Sequence, residues 1–202
     1  MTKIDYSHLF VLGWGPRKRA LHLKKAPIEP DPEDPYYAQT NPFNLFDGNA
    51  TPKKPVAYEY DSGKYRWDQI GTVNAELSLY SDRIIDVLTQ NEFTGWRPFP
   101  VTIRGKSGRL IKGYSGISIL GRAGNLDDTR SETVLLPPLY EGGPDRPGLR
   151  GFYFEDDVWD GSDVFTCENA PLFLCSLKVK EAISALNPTN IVFTSLTEYE
   201  YR

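Results

Sequence analysis

The chain has 202 residues, with 23 Lys and Arg against 27 Asp and Glu, so its formal net charge at pH 7 is −4. The length predicts one large domain, and 40% hydrophobic with 13% aromatic residues argues against disorder. The mild acidity disfavours a non-specific nucleic-acid binder, because such proteins carry a basic footprint. Two His and two Cys leave little material for a metal site.

The N-terminal part of the chain begins with an apolar run, residues 9–12, that predicts a strand. Seven prolines follow within residues 27–57, and each of them removes a backbone donor and fixes φ. We therefore predict extended coil over 27–57, with neither helix nor central strand. The whole chain is predicted to form a single domain, in which a Pro-rich extension (residues 1–57) packs on a core (residues 58–202).

The length of the apolar runs also bears on localisation. No run reaches the length of a secretory signal or of a membrane span. We therefore expect a cytoplasmic protein in which Cys167 and Cys175 are reduced thiols.

A weak internal repeat relates residues 77–88 to residues 172–183, at an offset of 95 positions. In each copy an apolar run leads to a serine that can cap a helix, Ser81 or Ser176, and then to an amphipathic pattern. Each predicted helix is followed by a turn and a further strand. The unit strand–helix–strand therefore occurs twice.

Between the two units the pattern is mainly β, with a loop over 141–148 and a strand over 151–154. In the strand after the first helix, Pro98 and Pro100 indicate an edge or bulged strand. The predicted fold class is α+β, a mixed or antiparallel sheet with a few helices packed on it.

Several short motifs resemble catalytic or ligand-binding loops without completing them. Arg104–Ser107 resembles the end of a phosphate-binding loop, but the position of the required earlier glycine is Pro100. Residues 113–117 approach a nucleophile elbow, but Ile117 stands where the final glycine is needed. We therefore predict no catalytic residue, no cofactor and no metal.

The remaining feature is residues 155–168, which contain six acidic residues and no Lys or Arg. Three interpretations stay open: a solvated loop, a pair of catalytic carboxylates, and an electrostatic docking surface for a basic partner. The candidate partner-binding residues are Glu155, Asp156, Asp157, Trp159, Asp160 and Asp163.

Four segments together resemble a known family: Asn125–Glu132, Trp159–Phe165, Leu172–Ile183 and Asn190–Phe193. They are similar to the bacterial immunity proteins of polymorphic toxin systems, first described from myxobacteria. Members carry an LD-x-x-x-S element, an apolar strand before a K-E-A helix, and a short terminal strand. The resemblance covers about residues 77–196; the Pro-rich N-terminal region and Cys175 depart from it. It implies neutralisation of a toxin by direct binding, and it supplies no catalytic residues.

We therefore predict a non-enzymatic immunity protein, with neither nucleic acid nor membrane as partner. Its partner would be a cognate toxin domain with a basic surface, such as a nuclease. Two alternatives stay open. A carboxylate-based hydrolase requires two carboxylates with perturbed pKa values in one pocket. A carbohydrate- or ligand-binding module would use tryptophans as stacking platforms, namely Trp14, Trp67, Trp96 and Trp159.

Overall fold

A computed structural model of the chain describes residues 4–15, 19–27, 33, 36, 39–74 and 77–201. It confirms the predicted α+β class, with two mixed sheets, one antiparallel sheet and three α-helices in the described part of the chain. The helices are α1 (Pro42–Phe46), α2 (Asp82–Gln90) and α3 (Leu177–Ser184). Single 3₁₀ turns occur at Tyr6–His8 and Asp128–Arg130.

Six strands close into a barrel, because the last of them in the ring pairs back to the first. A seventh strand, β7 (Leu110–Ile111), forms a hairpin with the strand Trp96–Arg104. In order around the ring, the six strands are β3 (Val56–Ser62), β2 (His22–Lys25), β4 (Gln69–Thr72), β5 (Ser78–Ser81), β8 (Tyr114–Ile119) and β6 (Trp96–Arg104).

The two prolines of β6 lie in the part of the strand that is hydrogen-bonded to a neighbouring strand on one side only. From Trp96 to Pro100 the strand pairs with β8, and its parallel pairing with β3 begins only at Val101. Pro98 and Pro100 therefore occupy an edge-like segment of a strand that becomes internal further on, as the missing N–H groups require.

A second sheet has five strands and a third sheet has three. The second sheet runs in the order β14 (Ile191–Ser195), β1 (Leu9–Trp14), β13 (Ala170–Ser176), β12 (Val164–Cys167) and β9 (Gly121–Ala123). The third runs β10 (Glu132–Leu136), β11 (Arg146–Arg150) and β15 (Glu200–Tyr201).

The predicted strand–helix–strand unit is present twice, as β5-α2-β6 and as β13-α3-β14. The units also exchange strands. The N-terminal strand β1 pairs with β13 and β14 of the second unit, whereas β8 pairs with β5 and β6 of the first. The exchange is reciprocal, so the two units are related as the subunits of an isologous dimer are, but within a single chain.

Ser81 and Ser176 occupy the N-cap positions of α2 and α3, but neither hydroxyl bonds to a helix N–H group. This corrects the predicted capping. Instead the hydroxyl of Ser81 donates to Asp68 at 2.8 Å, and that of Ser176 donates to Asp163 at 3.1 Å.

Each of these two aspartates also accepts hydrogen bonds from a threonine of the opposite unit. Asp68 accepts from the backbone N–H and the hydroxyl of Thr189, at 2.8 and 2.9 Å. Asp163 accepts from the same two groups of Thr94, both at 3.1 Å. The hydrogen bonds that join the two units are therefore repeated at the same offset of 95 residues.

The prediction that residues 27–57 contain no helix is wrong, although much of 28–38 lies outside the described residues. Helix α1 begins with Pro42, which a first helical turn tolerates because its N–H would be unpaired there in any case. The Asn41 side chain accepts from the N–H of Phe43 at 3.0 Å and caps the helix. Leu45 and Phe46, which follow, are buried in the main core.

The boundaries predicted around residue 150 are also wrong. Arg146–Arg150 forms β11, where a loop was predicted up to 148. Of the predicted strand 151–154, only Phe154 forms an isolated bridge, with Leu126. The limits of β11 are determined by its pairing with β10, which runs from Glu132↔Arg150 to Leu136↔Arg146. Amino-acid composition does not reveal this pairing.

Candidate functional site

Residues 124–163, here called the insertion, connect β9 to β12. If each unit is taken to include the strands that precede it, the equivalent connection of the first unit runs from β2 to β4, since β2 and β9 make the same parallel pairing with β4 and β12. That first connection carries β3, which closes the barrel, whereas the insertion carries the β10–β11 hairpin and most of the predicted acidic site. The two connections therefore carry different elements.

The hairpin exposes three large apolar side chains, which we call the apolar tip. Leu135 is 74%, Leu139 81% and Tyr140 69% exposed. A concentration of exposed apolar groups on one element is typical of a contact surface. Sequence reasoning missed these residues; the available signal was an apolar pattern that continues past Pro137 and Pro138 into a polar loop.

Asp156 is held at the base of the hairpin. Its Oδ1 accepts from the Tyr6 hydroxyl at 2.5 Å and from Nη1 of Arg130 at 2.7 Å. The Arg130 guanidinium also lies over the rings of Tyr6 and Tyr153, 4.8 and 4.7 Å from their centroids. Burial, and then the bond to Asp156, raises the pKa of Tyr6, so the phenol remains a donor. The charge of Asp156 is therefore compensated within the fold.

Three further members of the predicted site also anchor the loop. Asp160 accepts from the backbone N–H groups of Arg122 and Ser162, both at 2.9 Å, and Asp163 joins the two units as described above. Trp159 packs against Phe154 and Phe165 at centroid distances of 6.2 and 5.1 Å. Its Nε1 is buried and has no hydrogen-bond partner in the described structure.

Three members of the predicted site are exposed, namely Glu155, Asp157 and Asp160. Of these, Glu155 and Asp157 have carboxylates that make less contact with the described structure than that of Asp160. Glu155 accepts one bond, from the backbone N–H of Asn125 at 3.2 Å. Asp157 is exposed beside Val158, which is 48% exposed. The predicted set thus separates into four residues that hold the loop, of which Asp160 is also exposed, and two exposed carboxylates that make little contact.

The hydrolase alternative requires two carboxylates in one pocket. Five cavities of the described structure do not meet this requirement, since none of the five has an Asp or Glu in its lining. The pKa of Asp68 is strongly shifted, and this residue lies outside these cavities. Burial would raise that pKa, but the Arg83 guanidinium and donors from Thr189 and Ser81 outweigh it and hold the pKa well below its usual range. Asp68 is therefore suited to an ion pair and not to proton donation.

The surroundings of the cysteines and histidines do not favour catalysis or metal binding. Burial raises the pKa of Cys167 to about 12 and raises that of Cys175 as well, so both thiols stay protonated and unreactive. His8 and His22 lie 3.4 and 3.5 Å from aspartates, at the surface. Within the described ranges, no group of three or more His, Cys, Asp or Glu side chains is arranged to hold a metal ion.

The four tryptophans predicted as stacking platforms have different surroundings. Trp14 lines a cavity of about 370 Å³, and Trp67 lines one of about 260 Å³ together with Tyr65. The Trp96 indole donates to the carbonyl of Phe93 at 2.9 Å. Trp159 belongs to the aromatic cluster of the insertion, so the four do not form one platform.

Comparison with known proteins finds no family model that matches this chain and no matching relative among curated proteins. In the part of the chain that the structure describes, no helix has the length and apolar character needed to cross a bilayer.

Proposed function

We propose that this protein is an immunity protein that neutralises a bacterial toxin by direct binding, and that the insertion is its docking element. The observation that carries the proposal is the apolar tip, which places three large apolar side chains in solvent on a single hairpin. The family resemblance of residues 77–196 supports the same role.

The apolar tip has the chemistry of an interface anchor. Leucine and tyrosine side chains that enter a partner's pocket are removed from water, which favours binding. Tyrosine is also among the residue types that most often contribute a large share of the binding free energy. The strand β10 is an edge strand of the third sheet, so the hairpin can also approach a partner along its backbone.

The charges around the tip favour a basic partner. Glu141 and Asp145 are exposed in the hairpin loop, and Glu155 and Asp157 are exposed at its base. Acidic groups in this arrangement would steer a basic surface, such as the active-site cleft of a nuclease, toward the apolar anchors.

The experiment is co-purification with the toxin domain encoded by the neighbouring gene, followed by measurement of the dissociation constant. The double variant Leu139→Ser/Tyr140→Ser should weaken binding roughly 30-fold, the effect expected of about 2 kcal/mol at a hot spot. Leu110→Ser removes a leucine that is 55% exposed on β7, outside the insertion, and is the matched control with unchanged affinity.

Charge is tested separately through the association rate. Glu155→Lys/Asp157→Lys should lower the rate roughly tenfold at low salt and less at high salt, because screening removes steering. Glu181→Lys, an exposed acid on α3, is the control. Failure of the wild-type protein to form a complex at micromolar concentration would contradict the proposed function. Equal affinity of the apolar-tip double variant and wild type would contradict the assigned surface.

A further inference from the structure

One end of the barrel carries a cleft of about 650 Å³ whose polar lining is dominated by cations. We call it the basic cleft. Four basic side chains line it together with the hydroxyl of Ser107, and no carboxylate does. The four basic residues are Lys64, Arg66, Lys106 and Arg109. We propose that this cleft binds a small phosphorylated organic ligand of nucleotide size.

Backbone hydrogen bonds fix the two segments that carry these cations. The N–H groups of Lys64 and Tyr65 both donate to the carbonyl of Arg19, at 2.9 and 3.0 Å, which fixes the segment after β3. In the β6–β7 turn, the N–H of Gly105 donates to the carbonyl of Arg109, and that of Gly108 donates to Gly105, both at 2.8 Å. Two tied segments therefore present two cations each.

The positive charge of the basic cleft is not neutralised from within the described structure. None of the four basic side chains forms an ion pair with a described residue, and all four are exposed. The carboxylates of the adjoining strand β3 are engaged elsewhere: Glu59 lies 3.2 Å from Lys24, and Asp61 lies 3.5 Å from His22. Four like charges around one concavity repel one another, and an anion of high charge density relieves that repulsion.

The walls of the basic cleft indicate an organic body in addition to the anionic group. Leu21 and Ile111 line it and are 4% and 8% exposed, so its floor is apolar. The ring of Tyr60 forms a further wall, with the Lys106 ammonium 5.8 Å from its centroid. Inorganic phosphate would fill a small part of this volume. A nucleoside diphosphate is of suitable size and has both an anionic group and an organic ring system.

The incomplete motif at Arg104–Ser107 lies at this cleft, but it acts differently from a phosphate-binding loop. Its backbone forms the turn of a β-hairpin and does not lead into a helix N-terminus. Recognition here would come from the charges of flexible side chains, which can adjust to different phosphate positions. We therefore expect a modest affinity that depends strongly on salt concentration.

The test is calorimetric titration of the full chain with adenosine diphosphate, pyrophosphate and adenosine. We expect adenosine diphosphate to bind more tightly than pyrophosphate, and adenosine not to bind. The double variant Lys106→Ala/Arg109→Ala should weaken adenosine diphosphate binding at least about tenfold, since it removes two charge-assisted contacts. Lys178→Ala, an exposed lysine on α3, is the control with unchanged binding.

Both altered side chains are exposed in a turn, and thermal unfolding of each variant shows whether the fold is intact. Absence of binding by the wild type at millimolar adenosine diphosphate would overturn the proposal, as would equal binding by the double variant. Pyrophosphate binding as tight as that of adenosine diphosphate would overturn the role of the apolar floor. Tighter binding of a 12-nucleotide single strand would assign the cleft to nucleic acid instead.

Discussion

At the scale of single residues, Asp68 and Asp163 perform the same task in very different surroundings. Each accepts from the serine that begins a helix and from a threonine of the other unit. Asp68 is 5% exposed and also forms an ion pair with Arg83. Asp163 is partly exposed and, among the described residues, accepts hydrogen bonds only from uncharged donors. The first link should therefore be the stronger.

We predict that Asp68→Asn lowers the free energy of unfolding by about 2 kcal/mol at pH 7, because it leaves Arg83 without its buried partner. Asp163→Asn should cost less than about 1 kcal/mol. Urea unfolding of both variants beside the wild type measures the two values. Equal losses for the two substitutions would contradict the assigned difference.

The same ion pair predicts a pH dependence. Because the folded-state pKa of Asp68 is depressed, its stabilisation is complete above the unfolded pKa of about 3.9 and is lost as the pH falls through the folded value. The stability difference between wild type and Asp68→Asn should therefore be constant from about pH 5 to 8 and shrink below about pH 4. A difference at pH 3 as large as that at pH 7 would exclude the ion pair as its source.

Glu92 follows α2 with φ of +53°, and its counterpart after α3, Asn187, has φ of +50°. The left-handed conformation suits glycine and asparagine and is unfavourable for glutamate. Glu92→Gly should stabilise the protein by about 0.5 kcal/mol, since relief of strain is partly offset by a more flexible unfolded chain. Asn187→Gly should have a smaller effect, and thermal unfolding compares them.

At the scale of elements, local patterns and long-range pairing differ in what the sequence reveals. Helices α2 and α3 were predictable because their apolar spacing lies within one element. The bond between Asp68 and Thr189 joins residues 121 positions apart, and no local pattern announces it. Helix α1 is not apparent from the proline content because Pro42 occupies the first helical position, the one place in a helix that favours proline.

The candidate site shows the same division. The acidic residues of the insertion were predictable from composition, but which of them face solvent depends on Tyr6, Arg130 and Thr94, which lie far away in sequence. The apolar tip was missed because leucines are usually buried, and exposure is a property of the fold.

The hairpin loop can be shortened as a unit. Leu136 and Arg146 are paired, so replacing residues 137–145 with Asn-Gly should close the hairpin with a two-residue turn. We expect the melting temperature to change by less than about 3 °C, because the removed apolar side chains are exposed. The proposed function predicts that this shortened variant no longer binds the toxin. A large fall in melting temperature would show that the loop supports the fold.

At the scale of the whole molecule, the exchange of β1 and β8 makes each unit depend on the other. The two strands are not interchangeable, although their pairings are equivalent. Gly116 of β8 lies opposite Phe99, and a Cβ at Gly116 would collide with the Phe99 ring. The equivalent position of β1 is Val11, which pairs with Thr194.

This asymmetry predicts how the chain behaves when cut. The fragment 1–108 lacks β8. Strand β1 from a second copy of the fragment cannot take the place of β8, because Val11 would then collide with the ring of Phe99. Neither 1–108 nor 109–202 should give a dispersed amide NMR spectrum alone, whereas an equimolar mixture should restore the spectrum of the intact chain. A fragment 109–202 carrying Gly116→Val is the matched control and should fail to restore it, since overpacking at this position costs several kcal/mol. A well-dispersed spectrum from 1–108 alone would mean that the barrel closes without β8, and that the exchange of strands is not what joins the two units.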